Sequence, residues 1–93
     1  MWIVYIIQNN LTEKIYIGCT NDLKKRVEKH NSQTNKGYTR RLIGQWILIY
    51  AEAYRSKEDA FRRESKLKDH GSSKHELKKR ISNSLLKPKV RLD

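Results

Sequence analysis

From Trp2 to Gln8 the chain is almost wholly β-branched or aromatic, and after a short polar interval Lys14 to Gly18 returns to that composition. Two such runs predict a β-hairpin, with Asn9 and Asn10 tolerating the positive φ angles of a tight turn. A turn centred between Asn10 and Leu11 sets Tyr5 directly opposite Tyr16 on one face, with Cβ atoms roughly 5 Å apart. Two phenols then share one patch, and a slip of one residue would separate them. Plain packing of two tyrosines in a sheet is the simpler alternative.

The period then lengthens. Thr20 and Asn21 suit a helix N-cap, Asp22 a first turn, and Leu23 and Val27 recur at i, i+4, predicting a helix over about 21–31. Arg26 and His30 lie one turn apart beside that apolar stripe and can point together toward the sheet. Arg26 also fits an ordinary solvated basic face, and His30 a charge complementing the helix C-terminus. Residues 31–44 read as loop, with Lys36, Arg40 and Arg41 around Tyr38. An aromatic among cations suits nucleic acid, by base stacking and phosphate contact. Trp46 to Tyr54 predicts a third strand, with Ile47, Ile49, Ala51 and Ala53 on one side and Trp46, Leu48, Tyr50, Glu52 and Tyr54 on the other.

Ser56 with Asp59 resembles a capping box and opens a second helix to Lys68 or Asp69, ended by Gly71. Its apolar face comprises Ala60, Phe61 and Leu67. Glu64 falls about 40° from Ala60, in the middle of that face. A carboxylate there must be paired, hydrogen-bonded or bound to a metal, because burying it alone costs several kcal/mol. A salt bridge to Arg26 is one solution. Ser73 with Glu76, and Leu77 with Ile81, predict a third helix over about 73–82. Residues 1–82 then form one domain and 83–93 a basic C-terminal tail.

Composition narrows the partners. In 93 residues there are 21 Lys and Arg against 10 Asp and Glu, a formal net charge of +11. So large an excess on one small domain points to a polyanion, nucleic acid foremost, rather than to solubility alone. The mean hydropathy is −0.89, and no segment approaches membrane-spanning length. The single Cys19 cannot form an internal disulfide or build a zinc site. The apolar opening 1–7 lacks a basic leader and a cleavage site, so a cytoplasmic protein, monomeric and without membrane contact, is expected.

Ile3-Val4-Tyr5, then Tyr16-Ile17-Gly18, then Arg26 with His30 one turn later, then Arg62-Arg63-Glu64, together resemble the GIY-YIG nuclease domain of the small stand-alone bacterial type, over about residues 2–70. The first motif departs from the family name at Ile3 and Val4. The resemblance implies an α+β fold, a three-stranded antiparallel sheet flanked by three helices. It also implies a metal-dependent endonuclease that hydrolyses phosphodiester bonds in DNA, with RNA as the alternative substrate. Tyr5 would activate the water, helped by positive charge from Lys14, Arg26, His30 or the metal. Tyr16 would orient water or phosphate, Arg26 hold the phosphate, His30 relay a proton, and Glu64 hold one Mg²⁺ or Mn²⁺ ion. Lys14, Lys36, Tyr38, Arg40 and Arg41 would contact nucleic acid. The alternative is a binding module of the same fold with little or no catalysis.

Overall fold

A computed structural model describes residues 1–32 and 44–87 of the chain. The elements are β1 (Trp2–Asn9), β2 (Ile15–Thr20), α1 (Leu23–His30), β3 (Trp46–Tyr54), α2 (Lys57–Asp69) and α3 (Gly71–Arg80). The strands form one antiparallel sheet in the order β2-β1-β3. This is the expected α+β architecture of three strands and three helices. β1 is central and covered on both faces, which is why its apolar run is unbroken and Val4 to Asn9 are buried.

Side chains alternate between two cores. Val4, Ile6, Ile17 and Cys19 pack with Ala60, Leu67, Leu77 and Ile81, so α2 and α3 cover one face. Tyr5, Ile7 and Trp46, with Ile3, Tyr16, Leu23 and Val27, form the other core, beneath α1.

The hairpin register differs from the expected one. Tyr5 pairs with Gly18, and Tyr16 with Ile7, because the loop is longer than a two-residue turn. Buried Asn9 sets that loop: its Oδ1 accepts the backbone N–H groups of Leu11 and Thr12, both at 2.9 Å. The side chain thereby does locally what a tight turn would have done. The positive φ falls on Glu13, at 64°, rather than on Asn9 or Asn10. The shift is two residues, so Tyr5 and Tyr16 stay on one face as diagonal neighbours.

The β3 alternation also changes. Its register against β1 shifts between Ile6 and Ile7, which pair with Tyr50 and Leu48. The extra residue, Ile49, inverts the faces, as a bulge does. Trp46 and Leu48 therefore share the α1 side with Tyr5 and Ile7, while Tyr50, Glu52 and Tyr54 share the α2 side with Val4 and Ile6.

Helix starts follow side-chain caps where one exists. Asp22 Oδ1 accepts from Lys25 N at 3.1 Å, and Ser56 Oγ from Asp59 N at 3.2 Å. Gly71 opens α3 instead of merely ending α2, and the Ser73 cap is not formed: His70 is the N-cap residue and makes no side-chain capping bond. Beyond α3 the chain returns to the sheet, where Leu86 N donates to Gln8 Oε1 at 2.7 Å.

Candidate active site

Tyr5 projects from the centre of β1 toward α1 and is fully buried. Its hydroxyl lies 2.7 Å from His30 Nε2. Room for the ring comes from Gly18 on β2, because a Cβ at position 18 would overlap the Tyr5 phenol. The third residue of the second motif is thus a packing requirement of the first.

His30 is held by more than this bond. The Tyr16 ring meets it edge-on at a centroid distance of 4.9 Å. The next residue, Asn31, ties the end of α1 to β3: its Oδ1 accepts from Trp46 N at 2.8 Å and its Nδ2 donates to Trp46 O at 3.0 Å. An asparagine amide pairing with a backbone amide closes a β-like bridge. Nothing in the local sequence distinguishes this residue from an ordinary loop asparagine, and its role was not foreseen.

Electrostatics set the resting protonation. Burial, then Arg26 and Lys29, push the His30 pKa down from 6.5 to about 4, so the ring is neutral at physiological pH, and in the tautomer protonated at Nδ1 its Nε2 accepts from the phenol. Burial raises Tyr5 to about 12, against the lowering effect of the Arg26 guanidinium, which favours the phenolate through charge and hydrogen bonding. Desolvation outweighs the expected help from positive charge, and the resting group is a phenol. Arg26 Nε is buried without a partner among the described residues. Arg26 also lines a cavity of about 150 Å³ with Thr20, Asp22, Lys25 and Lys29.

Glu64 arrives from the other side of the sheet. It lies on α2, which covers the Cys19 face, while Tyr5, Tyr16, Arg26 and His30 lie on the α1 face; the five do not converge on a single face. They approach one another around the edge strand β2. Tyr5 feels the Glu64 charge. Lys68 Nζ, 3.1 Å from Glu64 Oε2, sits 5.7 Å from the Tyr16 ring centroid. The partner of Glu64 is therefore Lys68, one helical turn on, and not Arg26. With Phe61 43% exposed, the apolar face of α2 is narrower than the helical wheel suggested, and Glu64 stands at its margin.

Lys14 lies in the hairpin loop, where its carbonyl accepts from Asn9 N at 2.8 Å, four positions along β1 from Tyr5. Lys36, Tyr38, Arg40 and Arg41 lie outside the described residues. Among the described residues, no three of His, Cys, Asp and Glu are grouped to hold a metal ion. A hydrated Mg²⁺ needs only one or two carboxylates beside substrate phosphate. Glu64, with Lys68 Nζ 3.1 Å from its Oε2, offers one such carboxylate.

A second polar cluster lies behind the site, also unforeseen. Glu52 accepts from Tyr50 at 2.7 Å and Tyr54 at 2.6 Å, and takes both Arg63 Nε at 2.9 Å and Arg63 Nη2 at 3.0 Å. This fork clamps α2 to β3 and orients the helix that carries Glu64. The period-2 spacing of Tyr50, Glu52 and Tyr54 was visible in sequence; the docking of Arg63 was not.

This sheet, with a tyrosine from each strand of the hairpin meeting an arginine and a histidine from the next helix, defines a GIY-YIG domain. The family model for the GIY-YIG catalytic domain matches residues 1–79, and the chain belongs to that family, which is generally one of endonucleases. Among relatives, it is similar to a UPF0213 protein of Staphylococcus aureus strain Mu3, 36% identical over 73 residues, covering 76% of this chain and 84% of that one. A UPF0213 protein of Streptococcus agalactiae serotype V is 39% identical over 54 residues, covering 58% of this chain and 60% of that one. The match thus spans about 60% of the length of the streptococcal relative. The solution NMR structure of a UPF0213 protein from Bacillus halodurans superposes with a TM-score of 0.55 at 27% identity, covering 100% of both chains. Among the described residues no helix is long and apolar enough to cross a membrane.

Proposed function

We propose that the protein is a metal-dependent DNA endonuclease in which Tyr5 activates the attacking water. The observation that carries this reading is the 2.7 Å contact between the Tyr5 hydroxyl and a neutral His30. A phenol can act as a base only after giving up its own proton, and in the tautomer protonated at Nδ1 the Nε2 lone pair of His30 is placed to receive it. Arg26 holds the scissile phosphate, whose oxygens satisfy its orphaned Nε, with Lys25 and Lys29 on the same cavity. Tyr16 orients the phosphate or water and fixes the His30 ring. Glu64 holds one Mg²⁺ or Mn²⁺; when bound, the ion supplies charge stabilisation at the phosphoryl oxygens and favours the phenolate.

A second reading is a nucleic-acid-binding module of the same fold with weak or no catalysis. Full burial of Tyr5 and a phenol raised to about 12 favour it. Plasmid nicking with and without Mg²⁺ or Mn²⁺, beside Glu64→Ala, separates the two. Metal-dependent nicking lost in the variant supports the nuclease; its absence in the wild-type protein leaves the binding module. The cytoplasm, a monomeric state, a domain over 1–82 and DNA in preference to RNA belong to the same proposal.

A further inference from the structure

Helix α2 presents Lys57, Phe61, Glu64 and Lys68 at i, i+4, i+7 and i+11, one stripe about 16 Å long running beside β2 to Tyr16. Its middle is Glu64; its far end is a feature the proposed chemistry does not use. Phe61 is 43% exposed, unlike Ala60 and Leu67, which are fully buried on the same helix. The Trp2 ring meets it edge-on at 5.7 Å with an interplanar angle of 74°. Lys57 Nζ stands 5.1 Å from the Trp2 ring and 5.3 Å from the Phe61 ring. Among the described residues it makes no ion pair, so the rings hold the ammonium without neutralising it.

We propose that Trp2, Phe61 and Lys57 form a subsite for one unstacked nucleobase of the bound strand, beside the Tyr5 and Glu64 centre. The occupant follows from the chemistry. The exposed Phe61 ring, with half-buried Trp2 against its edge, offers aromatic surface, the uncompensated ammonium beside them asks for an anion, and the chain carries +11. A nucleotide supplies a π-face and a phosphate in one unit. A cationic or purely apolar partner would leave one half of that surface unmatched. Continuity with the candidate site comes from Cys19, buried on β2, whose thiol is raised first by burial and then by Glu64 and lowered by Arg26, Lys57 and Lys68. Those four charges therefore all act on one point of the edge strand. The subsite deepens the nuclease reading and rests on it.

The test is binding without cleavage, in chelator, of an oligothymidine and of an abasic oligonucleotide of equal length. Trp46 is 3% exposed, so fluorescence quenching on binding reports Trp2. The oligothymidine should quench and the abasic strand should not. Phe61→Leu should weaken oligothymidine binding about tenfold while leaving the abasic strand unaffected, and Phe61→Tyr should restore it. Equal quenching by both strands, or an equal effect of Phe61→Leu on both, overturns the subsite and leaves the nuclease reading standing. Base-dependent binding without metal-dependent nicking keeps the subsite and removes the nuclease. Binding of neither strand overturns the subsite, and the nuclease reading is then decided by metal-dependent nicking alone.

Discussion

The Tyr5 phenol fills the space in which any side chain at position 18 would begin, so the tyrosine of one motif and the glycine of the other are two halves of a single packing contact. Gly18→Ala should displace the ring, break its bond to His30 and lower stability by about 1 to 3 kcal/mol, as overpacking does. Chemical denaturation checks this. Adding Tyr5→Ala should relieve the clash, so the double variant should be less destabilised than the sum of the singles; strict additivity would place the glycine's role elsewhere.

Acid should destabilise the protein through His30. Its pKa is about 4 folded and 6.5 as a free side chain. As pH falls through 6.5 the unfolded chain takes up the proton first, and stability drops until the folded ring titrates near 4. The melting temperature should therefore fall between pH 7 and about 5, before most carboxylates titrate. In His30→Gln that slope should be nearly flat, and a slope unchanged by the substitution would show that another group causes it.

Glu64→Gln separates chemistry from stability. The Lys68 side chain is 44% exposed and that of Glu64 21% exposed, so the pair is partly solvated. Losing it should change stability by no more than about 1 kcal/mol. If Glu64 holds the metal, nicking should nonetheless disappear while metal-free DNA binding persists. Full nicking by a well-folded Glu64→Gln protein would refute the assignment.

Glu52 should matter to stability far more than Glu64. Burial raises its pKa, but hydrogen bonds from Arg63, Tyr54 and Tyr50 outweigh that and hold it below the usual carboxylate range. Its contribution is present above that range and fades as pH falls through the lowered value. Glu52→Gln leaves Arg63 without its carboxylate and should cost about 3 kcal/mol. Urea denaturation at neutral pH measures it, and the deficit should shrink in acid.

The net charge makes a prediction independent of the catalytic residues. Affinity for duplex DNA should fall steeply with salt, and removing Arg40 and Arg41 together should flatten the log–log slope by about two units. Titrations at several salt concentrations decide it; a salt-independent affinity would mean that the +11 charge is not the binding surface.

What the sequence determined by itself was local. Period-2 and period-3.6 patterns placed the strands and helices, with β3 at Trp46–Tyr54 and α2 opening after Ser56, because each reflects side-chain directions along a few successive residues. The same logic paired Arg26 with His30 one turn apart. Tertiary structure decided what depends on residues far apart in the chain. The buried Asn9 side chain set a longer loop and moved Tyr5 from opposite Tyr16 to opposite Gly18. An extra residue at Ile49 inverted one end of β3. A helical wheel placed Glu64 on an apolar face but could not say which side of the sheet α2 would cover, nor that Lys68 would reach it before Arg26. Periodicity fixes which way a side chain points from its own element; only the register and packing of elements against one another fix what it meets.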